Sequence, residues 1–167
     1  MHHLQFPALL RHLAVIGAVL GLLVLGASTA LADGNGSTTF TQTFHNAVDT
    51  MPSPNPCSGV PGTVTLTYNG VIHYTVNKAG DFWITGNQTG DFTFVPDAAG
   101  QPSYTGTFHN WFGESDNRQN NVNHFTFQVR GIGSDGSALN FHETEHVSTN
   151  ANANGAVVVS FDKMTCG

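Results

Sequence analysis

The residues best suited to chemistry in this chain are its histidines, a few carboxylates and amides in apolar surroundings, and two cysteines. His142-Glu143-Thr144-Glu145-His146 spells the zinc-protease pattern His-Glu-x-x-His. That chemistry requires a helix, where residues four apart share a face at about 6 Å and can hold one ion. Leu139, Asn140 and Phe141 before the segment and Val147, Ser148 and Thr149 after it alternate as a strand does. Four residues of strand span about 13 Å, so His142 and His146 do not share a metal and no protease is expected. Six histidines follow residue 32, at positions 45, 73, 109, 124, 142 and 146, and all fall in the polar phase of their segments, as solvated surface residues do. If the turn at Asp135 centres a hairpin, His124 lies across from His146, near enough for both to touch one transition-metal ion. With no third ligand this is a weak metal candidate, and no other metal site or cofactor is expected.

Polar residues in the apolar phase are more informative, because burying them costs free energy unless they are paired. These are Gln42, Asn110, Asn123, Glu143 and Glu145, with hydroxyls added by Tyr68, Tyr74 and Tyr104. One reading places them at strand ends, where the mouth of a barrel is wet. The other is a cavity whose aromatic wall takes a small apolar ligand while Glu143, Tyr68, Tyr74, Tyr104, Gln42 and Asn123 orient it. Glu143 follows Leu139 and Phe141 in the inward phase and is the expected anchor; a carboxylate so placed must reach water, pair with a donor such as Tyr68, Tyr74 or Tyr104, or stay protonated.

The elements that must position these groups are strands. The chain has 167 residues. His2, His3, Arg11 and His12 precede an uncharged apolar run from Leu13, and Ala30-Leu31-Ala32 closes it with small residues. This is the pattern of a secretory signal peptide over residues 1–32, and the run is short of the roughly 20 residues of a spanning helix. The remaining 135 residues suit one domain. Eleven acidic against four basic side chains give that part a formal charge of −7, which disfavours nucleic acid and anionic membranes as partners. Thr, Asn and Gly supply 49 of the 135 residues, a mixture that favours strands and turns over helices. Cys57 and Cys166 are an even pair in a protein expected to be extracellular, and a disulfide between them is expected.

Period-two alternation marks strands at about 38–46, 63–69, 71–77, 81–86, 91–95, 104–112, 122–130, 138–147 and 156–163. Turn residues separate them at Tyr68-Asn69-Gly70, Asn77 to Gly80, Gly86 to Gly90, Gly133 to Gly136 and Asn152 to Gly155. Thr50 to Gly62 holds four prolines and reads as a surface loop pinned by the disulfide. The apolar phase collects most of the phenylalanines and, in the last strand, Val157, Val159 and Phe161. Strands with one dry and one wet face and no covering helix must close on themselves or pack as two sheets. The short sequential hairpins favour an all-β, up-and-down antiparallel barrel of about eight strands, with a β-sandwich as the alternative.

The stretches TQTFHNAVDTMPSPNPCSGVPGTVTLTYNG, YTGTFHNWFGESDN and SFDKMTCG resemble small secreted β-barrel proteins of actinobacterial type. The resemblance covers most of the chain after residue 32 and includes both cysteines; it implies an exported barrel and carries no activity with it. No phosphate-binding glycine loop, nucleophile elbow or repeat of fixed period is present. The expected function is that of a secreted, non-enzymatic protein that binds a small apolar ligand in its barrel or a partner at its surface. An isomerase or cyclase using one interior carboxylate, and a structural or envelope-associated role, are the alternatives.

Overall fold

The computed structural model describes residues 36–117, 119–150 and 156–167. The expected signal peptide and the turn from Asn152 to Gly155 lie outside them. Seven strands follow one another: β1 Ser37–Pro52, β2 Gly62–Asn77, β3 Phe82–Pro96, β4 Tyr104–Asp116, β5 Asn120–Gly133, β6 Ala138–Asn150 and β7 Ala156–Cys166. They form one antiparallel sheet in sequence order, each strand bonded to its neighbours in the chain. No helix among the described residues is long and apolar enough to cross a membrane.

The expected nine short strands merge into seven because two anticipated turns are not turns. Asn69-Gly70 lies inside β2 and Gly86 to Gly90 inside β3, with continuous pairing through both. The glycines there serve close approach. A Cβ on Gly86 would sit 2.5 Å from Cζ of Phe112, and one on Gly90 would collide with the Thr67 backbone. The hairpins that do turn use the anticipated chemistry. Asn77 Oδ1 accepts the backbone N–H groups of Ala79 and Asp81 at 2.8 and 3.0 Å. Asp135 Oδ1 accepts the backbone N–H of Ser137 at 3.0 Å and its side-chain hydroxyl at 2.6 Å.

Inward residues of β2 to β6 build one core of Tyr68, Phe92, Phe94, Phe108, Val129, Leu139 and Phe141, with Phe44 and Ala47 of β1 packed against it. Tyr68 reaches across the β3 glycine to meet Phe108 edge-on, ring centroids 6.3 Å apart. These residues belong to the half of the sheet nearest the loop over residues 53–61. Within that loop Asn55, only 3% exposed, accepts the N–H groups of Cys57 and Ser58. The loop is tied to the end of β7 by the anticipated Cys57–Cys166 disulfide, Cα atoms 5.7 Å apart. That bond is compatible with an extracellular location.

Among the described residues the hydrogen bonds form one seven-stranded sheet, in which β1 pairs with β2, β7 pairs with β6 and no ladder joins β1 to β7; one sheet departs from the alternative of a sandwich. The expectation for the last strand needs correction, because it does not add to the core. Every residue of β7 is exposed. Phe161 lies opposite His146 and Val159 opposite Ser148, both on the polar face. Pairing, and not apolar character, sets the face that a strand residue joins, and a register irregularity at Ser148/Thr149 interrupts the phase of β7.

Candidate functional site

Register places three inward polar residues, Gln88, Asn110 and Glu143, in one row. Gly70 of β2 faces Gln88 of β3, Gln88 faces Asn110 of β4, Asn110 faces Phe127 of β5, Phe127 faces Glu143 of β6, and Glu143 faces Met164 of β7. Directly paired residues in an antiparallel ladder point to the same side, so Gln88, Asn110 and Glu143 share the core face. Gln88 and Glu143 are each 9% exposed. Asn110 Nδ2 donates to Gln88 Oε1 at 3.1 Å, and Asn110 Oδ1 is buried without a hydrogen-bond partner.

Above this row, away from the disulfide, the same face carries Phe112 and Phe125, then Tyr74, Ile84, Glu114, Asn123 and Val147, and at the rim Phe82, Asp116 and Asn121. Phe112, Phe125, Tyr74 and Phe82 are half-buried here, in contrast to the covered rings below. Tyr74 and Phe82 lie with ring centroids 5.9 Å apart. Asn121 Nδ2 donates to Glu114 Oε1 at 3.0 Å and to Asp116 Oδ2 at 3.3 Å. Glu145 and Asp162 also face inward, opposite each other. This end of the face therefore combines aromatic rings with carboxylates.

Of the residues singled out from sequence, Glu143 is buried on the core face and Asn123 and Tyr74 lie in the half-buried zone above it. Gln42 is on the same face, opposite Ile72, at the β1 edge. Tyr68 and Tyr104 are committed elsewhere. The Tyr68 hydroxyl donates to Asp49 Oδ2 at 2.8 Å, and its pKa is raised by burial first and by the Asp49 carboxylate second. The Tyr104 hydroxyl meets Ser137 Oγ at 3.0 Å, beside a cleft of about 60 Å³ lined also by Asn55, Phe94 and Gln101. A wider cleft of about 410 Å³ runs along β5, β6 and β7 past Arg130, Asn140, His142 and Thr165 and does not include Glu143.

Sequence reasoning missed Gln88 because Gly86-Asn87-Gln88-Thr89-Gly90 has turn composition. The signal was present in the alternation of Ile84, Gly86, Gln88, Gly90 and Phe92, which keeps inward phase throughout. The His-Glu-x-x-His segment is strand, with His142 bonded through Nε2 to Thr144 Oγ1 at 3.2 Å. His124 and His146 do meet across β5 and β6, as the Asp135 hairpin implied. Among the described residues no group of three or more His, Cys, Asp or Glu side chains is arranged to hold a metal. Comparison with protein-family models, with curated proteins and with solved structures found no match to this chain.

Proposed function

We propose that this is a secreted, non-enzymatic binding protein that takes a small apolar ligand on the inward face of its sheet, at the end away from the disulfide. The observation that carries this reading is the buried Asn110 Oδ1, an acceptor without a donor, in the row of Gln88 and Glu143 and directly below half-buried aromatic rings. A buried acceptor left unmatched costs about 1 to 3 kcal/mol, and a ligand with a donor group removes that cost. The rings of Tyr74, Phe82, Phe112 and Phe125 supply the apolar wall, and Glu143 anchors the polar end. Inward carboxylates with no inward Lys or Arg on the described strands disfavour an anionic ligand such as a fatty acid. The disulfide, which joins the loop after β1 to the last strand, supports a barrel-like enclosure around that ligand.

Native mass spectrometry of the exported protein after mild extraction, with Glu143→Gln beside wild type, tests the reading. A small molecule that co-purifies with wild type and is lost in the variant supports it. A wild-type protein that arrives empty and takes up no neutral hydrophobic probe removes it.

A further inference from the structure

The polar face carries a second site, independent of the ligand reading. The β5–β6 register sets His124 directly opposite His146. Their Nδ1 atoms are 2.7 Å apart and their ring centroids 4.2 Å. Both residues are half-buried. The Trp111 ring packs 6.4 Å from that of His124, and Phe161 of β7 pairs opposite His146, so the rings have neighbours on both flanks. At 2.7 Å one Nδ1–H donates to the lone pair of the other. Two ring nitrogens thus converge on one point from two rigid strands.

We propose that His124 and His146 form a two-imidazole binding site for a divalent transition-metal ion of the copper(II) type. Metal–nitrogen bonds of about 2.05 Å place two ligand nitrogens about 2.9 Å apart when they meet at a right angle and about 3.3 Å apart at a tetrahedral angle. The observed separation lies nearer the right-angled arrangement of a square-planar ion, and imidazole ligands follow the order that puts Cu²⁺ above Ni²⁺ and Zn²⁺. The proton balance is simple. The ring that carries its proton on Nδ1 moves it to Nε2, both Nδ1 lone pairs then face the ion, and a neutral pair releases no proton. Imidazolium cannot ligate, so binding weakens in acid. Lys163 is the charged side chain closest in register on this face, opposite Thr144 in β7; it is exposed and its ammonium can remain in solvent. The other metal positions fall to water or an exchangeable ligand.

Trp111 makes the site visible. Titration of the exported protein, which lacks His2, His3 and His12, with Cu²⁺, Ni²⁺ and Zn²⁺ at neutral pH, followed by tryptophan fluorescence and calorimetry, should give one Cu²⁺ per chain with quenching, and Zn²⁺ about tenfold weaker or more. Trp111→Phe should keep the calorimetric affinity and lose most of the quenching. His124→Gln and His146→Gln should each weaken Cu²⁺ by about tenfold or more, while His109→Gln leaves it within about twofold. Paramagnetic resonance of the wild-type Cu²⁺ complex should show two coupled nitrogens, a reading that needs no variant to fold. Unchanged affinity in both His124→Gln and His146→Gln, tighter Zn²⁺ than Cu²⁺, or a spectrum without two nitrogen donors overturns the proposal.

Discussion

Tyr68 is the one core tyrosine whose hydroxyl is bound to a carboxylate, and the neutral hydroxyl is the form the fold needs. Its folded pKa lies above the ordinary tyrosine value of about 10. The associated stability is therefore complete below about pH 10 and is lost as pH rises through the folded value. Tyr68→Phe should lower stability at pH 7 by about 1 to 3 kcal/mol and remove this part of the alkaline loss, as urea denaturation at pH 7 and pH 11 will report. The same alkaline loss in the variant would show that the titration belongs to another group. Asp49, the acceptor, was not legible as Tyr68's partner. In sequence it sits in the loop approach Ala47-Val48-Asp49, after Asn46, whose positive φ marks the bulge that resets β1. A bulge shifts which residues face inward, and nothing in the alternation of one strand announces it. His124 and His146 were legible because both positions are equally distant from Asp135, so identifying one turn fixed their register.

At the scale of the element, glycine is what lets long strands curve over a crowded aromatic face. Gly90 stands opposite Tyr68 with the β2 backbone against it, whereas a Cβ on Gly113 would find its nearest atom at 3.7 Å. Gly90→Ala should destabilise by about 1 to 3 kcal/mol through overpacking, and Gly113→Ala should be neutral or gain up to about 1 kcal/mol by restricting the unfolded chain. Thermal or chemical denaturation of the two variants decides this; equal effects would mean that glycine serves β3 only by conformational freedom. The same dual use explains why strand count was misread. Asn-Gly and Gly-x-x-x-Gly have turn composition, and only the cross-strand neighbours, rings above Gly86 and backbone beside Gly90, distinguish a turn from a place where a ring must lie flat on the sheet. Residues Gly133 to Gly136 turn as composition indicates, with Gly136 at positive φ and open space around it.

For the whole molecule, the all-β class, the sequential antiparallel order and the cysteine pairing were all legible, because each rests on local alternation or on counting. Closure was not. Whether the first and last strands bond depends on accumulated curvature and on β7, whose apolar Val157, Val159 and Phe161 suggested a buried strand but whose partners place it at an exposed edge. The covalent tie between the flanks consequently carries much of the long-range constraint. Replacing Cys57 and Cys166 together by Ala should lower unfolding free energy by about 4 to 5 kcal/mol on the chain-entropy estimate for so long a loop. Guanidinium denaturation measures it, and a loss under about 1 kcal/mol would mean that the reduced chain keeps its flanks together unaided. The position of that bridge also governs how the protein bears force. Tension applied to the two ends of the described chain runs from residue 36 along β1 to Cys57, crosses the sulfur bridge and leaves at Cys166. Strands β2 to β7 lie in the slack branch and carry no load, so the mechanical strength of the whole sheet reduces to the single ladder between β1 and β2, which can peel while the core stays intact.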